Sequence, residues 1–143
     1  MTDPIVYEFE VDATPGHAFR TWTERCALWW PSSHRMSESE TAAIVFEPRV
    51  GGRIFERDVQ GTEHEWGRIE EWDPPNRLAY LWHIFLEADR ATRVDVSFSR
   101  TESGTKVRLE NSGFDIFGDG AGSRSERVAT AWEAILAVYR GSF

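Results

Sequence analysis

The residues SRSERVATAWEAILAVYR, at positions 123–140, are the stretch that decides the fold. Their apolar side chains recur at intervals of three and four residues, which is the spacing of one face of an α-helix. Ser123, followed three residues later by Glu126, predicts a capping box where this helix begins. The apolar face is wide and needs another part of the chain to cover it. It consists of Val128, Ala131, Trp132, Ile135, Leu136 and Tyr139.

The segment before this helix, from residue 42 to residue 113, predicts strands joined by tight turns. Glycines 51 and 52 favour a hairpin turn because glycine tolerates positive φ. The sequence Asp-Pro-Pro-Asn at positions 73–76 is a second turn signal. In the last two strands, apolar and charged residues alternate, so one face is apolar and the other polar. The predicted strands are residues 42–48, 53–59, 63–72, 77–85, 92–99 and 105–111.

The N-terminal part predicts one strand and two short helices. Residues 5–11 alternate between apolar and acidic side chains, as in a half-buried strand. Thr14 followed by Pro15 is typical of a helix start, and a second short helix is expected over residues 26–30. Two polar or glycine-rich stretches, 32–41 and 113–122, are interpreted as loops.

These elements predict a single α+β domain over residues 1–143, with the order β-α-α-β6-α. A sheet with one apolar face needs a partner, and the C-terminal helix is the only element long enough to supply it. A strongly twisted antiparallel sheet that curves round a helix cannot touch it everywhere. We therefore expect a gap at one end of the helix, where a ligand would bind.

Several motifs resemble the activator of heat-shock-protein-90 ATPase homologue family. They are EPRVGGR at positions 47–53, WGRI at 66–69, DPPNRLAYLW at 73–82 and GTKVRL at 104–109, followed by the helix that carries Trp132. This family belongs to the START and birch-pollen-allergen superfamily, or SRPBCC. The resemblance implies the helix-grip fold, in which a curved antiparallel sheet wraps round a long C-terminal helix.

The resemblance also implies a function class. The superfamily includes lipid carriers, hormone receptors and polyketide cyclases, and most members bind a hydrophobic small molecule in the cavity. The family name further suggests a chaperone as a partner. Related proteins mostly carry a histidine near the end of the last long strand, whereas this chain has Asn111 there. That difference weakens an acid–base role at this position.

Composition and spacing exclude several other function classes. The formal net charge is −8 and the basic residues are scattered, so nucleic acid and anionic membranes are disfavoured as partners. Cys26 is the only cysteine and is expected to be a buried core residue. The histidines at positions 17, 34, 64 and 83 show no metal-ligand spacing, so no metal and no cofactor is predicted. The N-terminus lacks the pattern of a signal peptide, which favours a cytoplasmic location.

Aromatic residues are abundant, with seven tryptophans, nine phenylalanines and three tyrosines. Many could simply fill the core, but buried indole and phenol groups also need hydrogen-bond partners, which a partly wet pocket would supply. Glu47 and Glu56, near the first hairpin, are candidate polar contacts for a ligand. The alternative is that they lie in solvent at the tip of the hairpin. The candidate ligand-binding residues are Trp30, Glu47, Glu56, Trp66, Tyr80, Trp82, Phe98, Asn111 and Trp132.

Three hypotheses follow. The first is a module that binds a small hydrophobic or amphipathic compound. The second is a cyclase- or hydrolase-like enzyme that would use Glu56, Glu47, His34 or Asn111 with cavity water. The third is a protein that regulates a chaperone ATPase, and a homodimer is possible in each case.

Overall fold

The computed structural model describes residues 2–84 and 90–143, and it contains one curved antiparallel sheet and three α-helices. The strands are β1 (Ile5–Val11), β2 (Thr41–Phe46), β3 (Arg53–Asp58), β4 (Glu63–Asp73), β5 (Arg77–Trp82), β6 (Thr92–Arg100) and β7 (Thr105–Ser112). The helices are α1 (Pro15–Thr23), α2 (Cys26–Trp29) and α3 (Ala121–Arg140). The predicted order of elements is confirmed.

The seven strands form one sheet in the order β1-β7-β6-β5-β4-β3-β2, and all neighbours are antiparallel. The N-terminal strand joins the sheet beside β7, so the two ends of the sheet are β1 and β2. Helices α1 and α2 connect these two edges and close one end of the concave face. The long helix α3 lies across that face, which is the helix-grip arrangement predicted from the sequence.

The start of α3 differs from the sequence-based prediction. The helix begins at Ala121, with Gly120 as the N-cap and no side-chain capping bond, so the capping box at Ser123 is wrong. The segment before it, predicted as a loop, forms 3-10 turns over Phe114–Gly120 that are interrupted by a kink at Gly118, and we call it the 3-10 helix. Phe114 is buried there, and this apolar anchor lets the glycine-rich segment fold against the rest of the chain.

Strand boundaries agree with the predictions to within a few residues. The first hairpin turns at Gly51, whose φ of +83° lies in the region that glycine favours. Helix α1 has the predicted cap, since the Thr14 hydroxyl accepts a hydrogen bond from the His17 N–H at 3.2 Å. Strand β5 ends at Trp82, and the predicted end of that strand at residue 85 lies outside the described residues.

Strand β4 contains two β-bulges that shape the concave face. Trp66 is an extra residue opposite β3, between the pairs Ile54–Gly67 and Phe55–Glu65. Glu70 is an extra residue opposite β5. Each bulge reverses which face the following residues occupy. The first lets the fully buried Trp66 ring point toward the core beside Gly67.

The core is a layer of rings between the sheet and the helices. Trp132 of α3 lies nearly parallel to Trp22 and to Trp82, with ring centroids 6.3 and 6.4 Å away. The rings of Trp29 and Tyr139 pack edge to face at 4.9 Å. Such aromatic contacts contribute beyond the apolar area they bury. No helix among the described residues is both long and apolar enough to cross a bilayer.

The position of Gly67 generates a prediction about stability. A Cβ atom at this residue would lie 2.1 Å from the carbonyl oxygen of Leu81, so the variant Gly67→Ala forces β4 and β5 apart. We expect its free energy of unfolding, measured by urea denaturation, to fall by about 1–3 kcal/mol. Gly122→Ala is the control, because nothing lies within 4 Å of that Cβ and alanine favours a helix. Equal stability of the two variants would contradict the prediction.

Candidate functional site

A pocket of about 390 Å³ lies between the N-terminal half of α3 and the concave face of the sheet, and we call it the α3 pocket. Its walls are mostly apolar and come from four parts of the chain: the segment after α2, the end of β5, the β6–β7 pair, and the 3-10 helix with α3. The lining residues are Trp30, His34, Trp82, Ile84, Thr92, Asn111, Phe114, Phe117, Arg124, Arg127, Val128, Ala131, Trp132 and Ile135.

The pocket lies beside the half of α3 that is less deeply buried, since the C-terminal half carries more fully buried side chains. Ile135, Leu136 and Tyr139 are buried there, and the Tyr139 hydroxyl donates to the Ala18 carbonyl at 2.8 Å. One and two turns earlier on the same face, Ala131 and Val128 are only half-buried. Both side chains line the pocket, so an open space lies beside this half of the helix.

A chain of buried hydrogen bonds forms the inner wall of the pocket. The Trp132 indole N–H donates to Asn111 Oδ1 at 3.1 Å. The Asn111 amide in turn donates to Thr92 Oγ1 and to the Arg93 carbonyl, each at 3.0 Å. Since Thr92 Oγ1 accepts from the amide, its own hydrogen is available to a group inside the pocket. The wall therefore offers one positioned hydroxyl donor.

His34 and Trp30 lie together on another wall. The Trp30 indole N–H donates to the His34 carbonyl at 2.9 Å, which ties the ring of one to the backbone of the other. The Ser33 hydroxyl lies 3.0 Å from His34 Nδ1, which leaves Nε2 as the ring nitrogen that can face a bound molecule. His34 is the only histidine among the described residues that line the pocket.

The structure brings together four of the predicted ligand-binding residues in the α3 pocket: Trp30, Trp82, Asn111 and Trp132. Three other predicted aromatic residues, Trp66, Tyr80 and Phe98, are buried in the ring layer and do not line the pocket. Burial raises the pKa of the Tyr80 phenol, so this group stays neutral. These three aromatic residues therefore fill the core, which was the alternative to a place at the pocket.

The two predicted glutamates also lie away from the pocket, and each holds a turn or loop. Glu47 accepts a hydrogen bond from the Arg53 N–H at 2.6 Å and closes the first hairpin. The fully buried Glu56 accepts from the backbone N–H groups of Met36 and Ser37 and from the Thr41 hydroxyl. The lone pairs of Glu56 are therefore occupied by the segment that follows His34, and neither carboxylate faces cavity water.

Asp58, two residues after Glu56 on β3, binds the same segment of the chain. Burial alone would raise its pKa, but hydrogen bonds from the Ser37 hydroxyl, the Thr62 N–H, His64 and the Gln60 N–H together hold its pKa below its usual value. The Ser37 hydroxyl is 2.9 Å from Asp58 Oδ2. The ionised carboxylate thus stabilises the loop between the 3-10 turn at Ser32–His34 and β2.

Sequence reasoning missed several lining residues, above all Thr92 and the two arginines, Arg124 and Arg127. A signal for the arginines was present, since they precede Val128 and Ala131 by four residues on the same helical face. For Thr92 and Phe114 no signal existed, because their place at the pocket depends on sheet register and on the 3-10 helix. Within the described ranges, no group of three or more potential metal-ligating side chains occurs.

Comparisons with known proteins agree with this architecture. The family described as Activator of Hsp90 ATPase homolog 1-like protein matches residues 12–138, which confirms the resemblance found in the sequence. No curated protein matches the chain.

Several solved structures are similar over nearly the whole chain. One described as an anthrahydroquino-gamma-pyrone synthase, Txn09, complexed with SUM is 36% identical, with a TM-score of 0.68, and the match covers 99% of this chain and 97% of that one. The self-sacrificing resistance protein CalC from Micromonospora echinospora is 26% identical, with a TM-score of 0.76 and coverage of 98% and 93%. Protein MLL2253 from Mesorhizobium loti, at 18% identity, a TM-score of 0.71 and coverage of 96% and 94%, shares the fold.

The hydrogen bonds to the Asp58 carboxylate predict a loss of stability in acid. Because the pKa of this carboxyl is lower in the folded chain than in the unfolded one, where it is about 3.9, its contribution is complete above that value and is lost as the pH falls through the folded pKa. Asp58→Asn should therefore be less stable than the wild-type chain near neutral pH, and the difference should shrink in acid. Urea denaturation of both proteins from neutral to acidic pH tests this prediction. A difference in free energy of unfolding that grows in acid would contradict it.

Proposed function

The chain belongs to the Activator of Hsp90 ATPase homolog 1-like protein family, and we propose that it binds a small, flat, largely apolar compound in the α3 pocket. The observation that carries this proposal is the half-buried Val128–Ala131 stretch of α3, which faces the sheet without filling the space before it. A pocket of about 390 Å³ lies within the size range of small-molecule sites, which are usually concave and mostly apolar.

The shape of the walls favours an aromatic compound. Three indole rings, those of Trp30, Trp82 and Trp132, line the pocket, and they offer both faces and edges for contact with another ring. The Thr92 hydroxyl supplies a donor at the inner wall, which suits a carbonyl oxygen of the ligand. A planar ring system that bears a ketone or quinone oxygen fits both features.

The similar structures support the same class of ligand. Txn09 is described as a synthase of an anthrahydroquino-gamma-pyrone, which is a flat, oxygenated, polycyclic aromatic compound. It is also the structure reported above with the highest identity to this chain. The aromatic pocket described here is of a kind that such a compound would fit.

Filling the pocket should weaken binding without unfolding the protein. In Ala131→Phe, a benzyl group would project from α3 into the space assigned to the ligand. We expect this variant to bind anthraquinone-type probes at least about tenfold more weakly than the wild-type chain. Quenching of tryptophan fluorescence measures this directly, because three of the tryptophans line the pocket.

Ala134→Phe is the matched control, since it adds the same group to an exposed position on the same helix. It should bind like the wild-type chain. Circular dichroism and thermal melting would establish that both variants are folded. Undiminished binding by a folded Ala131→Phe variant would contradict the proposed site.

A second candidate function is catalysis of ring closure on the bound compound, and the position of His34 favours it. Closure of an oxygen-containing ring requires transfer of the proton from the attacking hydroxyl, and an imidazole in the pocket can accept and return it. His34 has its Nδ1 next to the Ser33 hydroxyl, so Nε2 can perform this transfer. Of the residues predicted for an enzymatic role, Glu47 and Glu56 are not at the pocket, and the amide of Asn111 does not titrate.

If this second function is present, His34→Gln should remove turnover but preserve binding. Glutamine keeps a polar group of similar length at this position but cannot carry the proton. The measurement is conversion of a hydroxylated anthraquinone precursor, followed by chromatography, beside a fluorescence titration of the same compound. His17→Gln serves as the control, because His17 lies on α1 against Phe143 and away from the pocket. Full turnover by His34→Gln would exclude His34 as the proton carrier.

A further inference from the structure

Among the residues that the structure describes, the charged side chains at the α3 pocket are opposite in sign to the net charge of the protein. The chain carries 24 acidic and 16 basic side chains, for a net charge of −8. Yet the described residues that line the pocket include two arginines and no aspartate or glutamate. A cationic site on an anionic protein is not explained by average composition.

The two arginines lie on the face of α3 that forms the pocket. Arg124 and Arg127 are three residues apart, and each precedes an apolar lining residue, Val128 or Ala131, by one helical turn. The stripe that covers the sheet thus changes from apolar to cationic in the first turns of the helix. Both guanidinium groups are at the solvent side of the pocket, since Arg124 is half-buried and Arg127 is exposed.

Nearby groups position this charge. The Arg124 guanidinium lies 4.7 Å from the centre of the Phe117 ring, a cation–π contact with another lining residue. Neither arginine forms an ion pair with any other described residue, although most arginines of the sheet do. The first turn of α3 also contains no acidic residue, so the positive end of the helix dipole adds charge of the same sign.

We propose that the pocket selects ligands that carry an acidic group, a carboxylate or an ionised phenol, placed at its mouth between Arg124 and Arg127. This inference rests on the proposed binding function and assigns a polarity to the ligand. The aromatic body lies against the indole rings, a carbonyl oxygen meets the Thr92 hydroxyl at the inner wall, and the anion faces solvent at the opposite end. A single guanidinium group can bind a carboxylate through two parallel hydrogen bonds.

The test compares two probes of the same shape, anthraquinone-2-carboxylate and the neutral anthraquinone-2-carboxamide. In low salt, the wild-type chain should bind the acid about fivefold to tenfold more tightly than the amide. The double variant Arg124→Gln, Arg127→Gln should lose this preference and keep its affinity for the amide. Added sodium chloride should reduce the preference of the wild-type chain, because the guanidinium groups are partly exposed to solvent.

Arg140→Gln with Arg25→Gln is the matched control, since it removes the same charge from two exposed positions that do not line the pocket. It should keep the preference for the acid. Equal binding of both probes by the wild-type chain would overturn the inference and leave the proposed function intact. A preference that persists in the pocket double variant would also overturn the inference. Binding of neither probe to the wild-type chain would count against the proposed function itself, and against the inference with it.

Discussion

The hydrogen bond from the Trp132 indole to the Asn111 amide determines how the long helix sits in the sheet. An unpaired indole N–H in this core would cost about 1–3 kcal/mol, and the amide is the group on β7 that removes this cost. Because Asn111 also donates to Thr92 and to the backbone of β6, it cannot turn without breaking three contacts. The bond therefore ties the middle of α3 to β7 and fixes the Trp132 ring at the inner wall of the pocket.

This placement divides the space under the helix into two parts. Toward the C-terminus, the Tyr139 ring packs against the rings of Trp22 in α1 and Trp29 in α2. Toward the N-terminus, the half-buried side chains of Val128 and Ala131 line the pocket. The ring of Trp132 thus belongs both to the packed core and to the wall of the pocket. The rigidity of the packed part holds the walls of the open part at fixed distances, which reduces the ordering cost of binding.

Much of this architecture is predictable from the sequence, because alternation in the strands and the three–four spacing in α3 are direct signals of local structure. The gap beside the helix also follows, since a curved sheet cannot contact a straight helix along its whole length.

The sequence does not show which aromatic residues lie in the core and which line the pocket. Trp66 and Trp82 look equivalent in the sequence, yet one is enclosed by the bulge in β4 and the other reaches the pocket. That difference depends on tertiary packing, as does the enclosure of Glu56 by the N–H groups of a distant loop. The chaperone partner, the homodimer and the cytoplasmic location remain predictions.

The two bulges in β4 make the length of that strand subject to a parity rule. Side chains of a strand alternate between its two faces. One extra residue therefore moves all following side chains to the opposite face, and a second extra residue moves the later side chains back. In this chain the surplus residues are Trp66 and Glu70, and Trp72 consequently returns to the concave side, where it meets Phe19. Loss of one of them would leave the other uncompensated and carry apolar rings into solvent. Relatives should therefore either keep both extra residues or lack both. Aligned sequences alone can test this expectation.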